Sequence, residues 1–238
     1  MTANGSFTRT EMLLGADGME ALRRAHVAVF GIGGVGSYAA EALARAGVGR
    51  LTFIDGDTIA ESNINRQIHA DTTTVGLRKA EVMAARVRRI NPQAEVRAVN
   101  AFASADDLPV LLAEKPGFVV DAIDTITVKI ALAMYCRANG IPAISSMGMA
   151  NKLYPEKITI GDLYDTSVCP LARVMRTELR KRGLPQLPVC YSTEPARTPH
   201  SPTSEEAGKR PLGSVSFVPA AAGLMLAGYV VRKLSVVD

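Results

Sequence analysis

Cysteine is scarce in this 238-residue chain: Cys136, Cys169 and Cys190 are the only three. An odd, small number excludes a disulfide framework and suits a reducing compartment. None of the three belongs to a C-x-x-C pair, so no zinc site is expected. Charge of one sign is also in short supply. With 27 Lys+Arg against 23 Asp+Glu, the net charge of +4 is too small to argue for a polyanion partner. The amino terminus, MTANGSFTRTEM, lacks the apolar core of a signal peptide, so a cytoplasmic location is expected. Long hydrophobic runs are missing too. The longest, Phe217 to Val231, is broken by Pro219, Gly223 and Gly228 and falls short of the ~20 residues a bilayer needs. It reads as a buried terminal helix, with no stable membrane insertion.

What is present points to a folded α/β protein. Hydrophobic residues make up 47% of the chain, enough for a sizeable core, and a charged fraction of 21% excludes wholesale disorder. Strand runs at Val27–Phe30, Leu51–Ile54, Glu95–Val99, Phe118–Ala122 and Pro142–Ser145 alternate with helical stretches at Ser37–Ala46, Gly76–Ile90 and Val128–Ala138. Uniformly apolar strands between helices predict a Rossmann-like, doubly wound, mainly parallel sheet. A C-terminal extension of strand, loop and helix follows, all within a single domain over 1–238. In it, Lys157–Tyr164 reads as a strand and Pro170–Arg182 as a basic helix. Residues 183–213 carry six prolines and are expected to be a mobile substrate-covering loop.

The chemistry is concentrated near the amino terminus. Gly31-Ile32-Gly33-Gly34-Val35-Gly36 follows a strand and opens a helix, an arrangement that brings backbone N–H groups to phosphates. Asp55, 19 residues beyond Gly36, stands at the end of the second strand, where a carboxylate can bind ribose hydroxyls. The glycine pattern alone would suit a dinucleotide. The residues after it favour cleavage of a triphosphate, which needs cations where charge builds on departing pyrophosphate. Those residues are Asp57, Asn65-Arg66-Gln67 and Lys79.

Together, Gly31–Gly36, Ile54–Asp57, Asn63–Gln67, Lys79–Glu81 and Asp121–Asp124 resemble the ThiF-type adenylating enzymes of the ubiquitin-activating superfamily. NRQIHA, VGLRKAEVM, VVDAID, YCRANGIP and GSVSFVP are similar to the tRNA threonylcarbamoyladenosine dehydratase family within it. The resemblance runs from Arg9 to about Leu234. It implies ATP and magnesium as cofactors. Gly31, Gly33, Gly34 and Gly36 would then border the nucleotide, and Asp55 would hold the ribose. Asn65, Arg66 and Lys79 would contact phosphates, and Asp124 would hold magnesium. Arg9 resembles an arginine that reaches the partner subunit's triphosphate, which implies a homodimer. Cys190, in Cys190-Tyr191-Ser192-Thr193-Glu194, lies where that family has a cysteine, and a catalytic or redox thiol is one reading of it.

Each residue also has a plain structural alternative. Arg66 and Lys79 could be solvated ion-pair partners, Asp124 a helix cap and Asp57 a residue that only shapes its loop. The implied activity is ATP-dependent adenylation of the threonylcarbamoyladenosine carboxylate next to the anticodon, then cyclisation to a hydantoin with release of AMP and pyrophosphate. The partner is a tRNA, with the helix at Arg173–Arg182, Lys209 and Arg210 as a candidate phosphate-binding surface. The alternative is adenylation of the C-terminal Gly-Gly of a ubiquitin-like sulfur carrier, which the lack of paired cysteines mildly disfavours. A cysteine desulfurase or sulfur-acceptor system stays open as a further partner.

Overall fold

The computed structural model of the protein describes residues 5–200 and 212–235. Seven strands form one sheet: β1 (His26–Phe30), β2 (Arg50–Ile54), β3 (Glu95–Val99), β4 (Phe118–Asp121), β5 (Ala143–Ser146), β6 (Ile158–Asp162) and β7 (Pro188–Ser192). Their order across the sheet is β3-β2-β1-β4-β5-β7-β6. All pairings are parallel except the edge pair of β6 with β7. This is the expected doubly wound α/β architecture, reversing direction of growth between β1 and β4.

Side chains on alternate strand positions explain the two helical layers. Val27 and Val29 of β1 join one apolar cluster, while Ala28 and Phe30 face the other. The first layer holds α1 (Thr8–Arg24), α2 (Gly36–Ala46), α3 (Lys79–Ile90) and α7 (Phe217–Leu234). The second holds the short α4 (Leu108–Leu111), α5 (Ile126–Ala138) and α6 (Pro170–Lys181). Most boundaries fall within a few residues of the sequence reading. Helix α1 is kinked at Gly15, whose φ of 70° departs from helical geometry.

The apolar helix α7 spans 18 residues, a little longer than the run read from the sequence and at the short end of what a membrane span needs. It packs across α2. A side chain on Gly223 would come within 2.3 Å of the Val35 carbonyl oxygen, so the two helices approach backbone to backbone. Between α2 and α3, the buried Glu41 carboxylate accepts from Arg86 Nε at 2.7 Å and from Arg45 Nε at 2.8 Å. Burial works against that charge, yet the two arginines hold the Glu41 carboxyl below its usual range.

One expectation is corrected here. The 183–213 stretch is not a continuous loop, since β7 runs through it as an interior strand of the sheet. Val189 and Cys190 alternate with neighbours into the two cores, and burial of these residues outweighs the proline-rich flanks. Residues 201–211, with Lys209 and Arg210, lie outside the described residues.

Candidate active site

The glycine motif sits where β1 ends and α2 begins. Gly31 adopts φ +83° and lies so near the β4 exit that a Cβ would stand 2.7 Å from the Ala122 carbonyl oxygen. A Cβ on Gly36 would overlap the Gly31 oxygen at 1.8 Å, so only glycine permits this turn. Gly33 differs: the space beside its Cα is open. It therefore presents bare backbone to the cleft at the amino end of α2, a cradle suited to an anion.

That cleft has a volume of about 720 Å³ and lies beyond the carboxyl ends of β1, β2 and β4. Crevices at such topological switch points are the usual ligand sites of open α/β sheets. Into it converge Asp55, Asp57, Arg66, Lys79 and Asp124 with the glycine loop. The structure thus gathers residues up to 93 positions apart in sequence, by the span from Gly31 to Asp124.

Each is held by identifiable bonds. Asp55 accepts from Ile32 N at 2.6 Å and from Asp57 N at 2.8 Å, tying the glycine loop to the end of β2. Burial pushes the Asp55 carboxyl up, against those two donors. Lys79 begins α3 with its side chain nearly buried, and its Nζ lies 2.7 Å from Asp57 Oδ2. Arg66 Nη1 donates to Ser62 O at 2.7 Å and to Asn65 Oδ1 at 2.8 Å. Burial pulls the Arg66 guanidinium down from its ordinary value.

Asn65 is committed on both sides of its amide, since its Nδ2 also donates to Ser214 O at 3.0 Å. It aligns Arg66 and ties it to the segment entering α7. Asp124 is exposed at the β4–α5 junction, with a long 3.4 Å contact from Thr125 Oγ1. Helix α5 is capped at Thr125 rather than by Asp124. Asp124 lines the cleft, and a carboxylate oxygen is the kind of ligand magnesium takes, with other oxygens completing its shell.

Several supporting residues were not singled out in the sequence. Under Asp124, fully buried Lys129 places Nζ 2.9 Å from Asp121 Oδ2, and Ser145 Oγ donates to the same oxygen at 2.6 Å. Lys129 also donates to Ile123 O at 3.2 Å, and Asp121 Oδ1 accepts from Ile123 N at 3.2 Å. This network fixes the loop that carries Asp124. A lysine inside the apolar run of Ile126–Ala138 was its sequence signal, because such a charge demands a buried partner. Phe102, Met149 and Leu212 line the cleft with no motif to announce them. Gln67 lines it too, and its Oε1 is buried with no partner among the described residues.

One expected site residue lies elsewhere, and Arg9, expected to serve a partner subunit, stands outside its own cleft. Cys190 is fully buried in β7, with Sγ 3.8 Å from Ala222 O. Burial pushes its thiol up to about 12, so it is an inert core group rather than a reactive thiol. Arg9 is exposed on the first turn of α1 and does not line its own chain's cleft.

The model of the ThiF family matches residues 7–237. The chain belongs to the ThiF family. Among its relatives, the tRNA threonylcarbamoyladenosine dehydratase of Bacillus subtilis (strain 168) is 42% identical over 96% of this chain and 94% of that one. A crystal structure of E. coli tRNA N6-threonylcarbamoyladenosine dehydratase in complex with ATP superposes with a TM-score of 0.89 at 36% identity, covering 98% and 94% of the two chains. The molybdopterin-synthase adenylyltransferase of Escherichia coli (strain K12) is 41% identical over 54% of this chain and 51% of that protein. The likeness to the dehydratases thus covers nearly the whole chain, whereas the likeness to the adenylyltransferase covers about half of it.

Proposed function

We propose that this ThiF-family protein is an ATP-dependent tRNA threonylcarbamoyladenosine dehydratase. The observation that carries the reading is likeness to dehydratases over nearly the whole chain, joined to a cleft that collects Arg66, Lys79 and Asp124 beside the bare backbone of Gly33.

A carboxylate is a poor electrophile because it is anionic and lacks a competent leaving group. Attack of a carboxylate oxygen on the α-phosphorus of ATP forms an acyl-adenylate and expels pyrophosphate. The carbamoyl nitrogen of the same modified base then attacks the acyl carbon, releasing AMP, losing its proton to solvent and closing the hydantoin ring. Arg66 and Lys79 meet the negative charge that builds on the phosphates. Lys79 exchanges its Asp57 partner for phosphate at that moment, and Asn65 holds Arg66 in line. Asp55 receives the ribose at the end of β2. Asp124 is the residue to hold magnesium, which when bound supplies further positive charge to the phosphates. Positioning and charge thus supply the catalysis, without a strong base from the protein.

The enzyme is cytoplasmic and works as a homodimer, with Arg9 of each chain reaching the partner's cleft. Incubation with ATP, magnesium and threonylcarbamoylated tRNA yields AMP and a nucleoside lighter by one water. A carrier protein ending in Gly-Gly, offered in the same buffer, gives no adenylate. The reverse result replaces this reading with that of a carrier adenylyltransferase.

A further inference from the structure

The carboxyl edge of the sheet carries a cluster that adenylation leaves unused. Antiparallel β6 starts at Ile158 opposite Ser192, the last residue of β7. The chain before β6 and the chain after β7 therefore emerge at the edge that holds the cleft. There the buried Glu194 carboxylate accepts from Leu153 N at 3.0 Å, Tyr154 N at 2.9 Å and Arg197 Nε at 3.3 Å. Burial opposes its charge, and those donors hold the Glu194 carboxyl below its usual range. Buried Lys152 donates to Glu194 O at 2.6 Å. Two segments are thereby locked together and project the side chains between them.

Tyr154 is the centre of what they project. Lys157 Nζ lies 4.7 Å from its ring centroid and the Arg197 guanidinium 5.2 Å, so one ring steadies two exposed cations. Leu153 is 40% exposed beside it. The cluster is joined to the cleft through Asn151, which donates to Gly213 O and accepts from Arg197 N, each at 2.8 Å. On either side of these bonds, Met149, Ala150 and Leu212 line the cleft itself, and Leu212 is 77% exposed. The Glu194 charge is shared among three N–H groups, which leaves Glu156 as the one other carboxylate in the two segments.

In the basic stretch at helix α6 four cations have partners on their own side of the sheet, while Arg173 is exposed on the first turn. Arg176 donates to Thr166, Arg180 lies over the Tyr164 ring, and Lys181 and Arg182 pair with Glu178. Its last turn also leads through Leu184 into the start of β7, at the opposite edge of the sheet from the cleft.

Cations fixed a few ångströms from exposed apolar side chains match one ligand chemistry. Phosphates meet the cations, while unstacked bases lie on the apolar groups, as in single-stranded nucleic acid. We propose that Tyr154, Lys157 and Arg197, with Leu153 and Leu212, grip a single-stranded RNA loop while one of its modified bases enters the cleft. The proposal rests on the dehydratase reading and names the surface that serves it.

The test measures steady-state AMP formation and direct binding, using threonylcarbamoylated tRNA as the probe. Lys157→Ala and Arg197→Ala raise the KM for tRNA about tenfold each and flatten the salt dependence of binding by about one unit of slope. The KM for ATP stays within about twofold of wild type. Tyr154→Phe keeps tRNA binding and Tyr154→Ala loses it, because the ring and not the hydroxyl steadies the cations. Lys181→Ala/Arg182→Ala binds like wild type. Unchanged tRNA binding in the Lys157 and Arg197 variants, or a loss confined to the α6 variant, overturns the proposal. Wild-type protein that leaves the tRNA unmodified overturns the dehydratase reading instead, and direct binding of that tRNA then decides the surface by itself.

Discussion

Lys79 Nζ sits 2.7 Å from Asp57 Oδ2, at the mouth of the cleft and on the first turn of α3. The ammonium is thereby parked on a carboxylate where an incoming triphosphate can replace it. Lys79→Ala is expected to lower AMP formation by about 100-fold or more, the usual cost of deleting one preorganised charge at a reacting phosphate. Arg66→Ala should lose a similar factor. Initial rates of AMP release check both, with circular dichroism as the control for folding.

Lys129 and Asp121 form an ion pair with side-chain exposures of 0% and 5%. Lys129→Met leaves Asp121 as a buried, uncompensated carboxylate and should destabilise the protein by about 3–5 kcal/mol. Adding Asp121→Asn should restore much of that loss, because a neutral amide no longer needs the cation. Urea unfolding of the three proteins measures the difference. The double variant should still turn over slowly, since the Asp124 loop loses its anchor.

His69 is 3% exposed, and both ring nitrogens lack a partner among the described residues. Burial first, then the charges of Lys79 and Arg86, pull it down to about 4 from 6.5. The native state therefore holds the ring neutral while the unfolded chain takes up a proton below 6.5. Stability contributed by the neutral ring is full above pH 6.5 and falls away as pH drops towards about 4, a loss of roughly 3 kcal/mol. His26, also lowered mainly by burial, acts in the same direction. Urea unfolding at pH 7 and pH 4.5 should show a smaller difference for His69→Leu than for wild type.

The buried Cys190 predicts indifference to thiol chemistry. Cys190→Ala should keep kcat within about twofold, at a cost of about 1–2 kcal/mol for the small cavity in β7. A thiol-alkylating reagent at neutral pH should leave this residue unlabelled in the folded protein, which mass spectrometry reads directly. A tenfold fall in kcat for Cys190→Ala would return the thiol to the mechanism.

Arg9 stands outside its own cleft, so its effect should depend on a second chain. Arg9→Ala and Arg66→Ala are each expected to be nearly inactive alone. Mixed in equal amounts and allowed to exchange subunits, they form mixed dimers with one intact site, about a quarter of wild-type activity if assortment is random. Activity that stays at the level of the separate variants would place Arg9 outside catalysis.

The local signals were legible in the chain because they are local. Apolar runs such as Val27–Phe30 and Phe118–Asp121 announce buried parallel strands, and the glycines of Gly31–Gly36 are dictated by contacts as short as 1.8 Å within one turn. Arg66, Lys79 and Asp124 were recognisable by residue type and motif, and the fold brings them to one cleft. The tertiary structure alone decided which of the other charges and thiols are available. A reactive Cys190 stayed open as one reading until β7 became an interior strand, and Arg176, Arg180, Lys181 and Arg182 looked free until Thr166, Tyr164 and Glu178 met them. Tyr154, Lys157 and Arg197 share no motif, because antiparallel pairing of β6 with β7 is what unites segments 40 residues apart, the spacing from Tyr154 to Glu194. Burial and ion pairing depend on the neighbours that a fold supplies, and those neighbours lie far off along the chain.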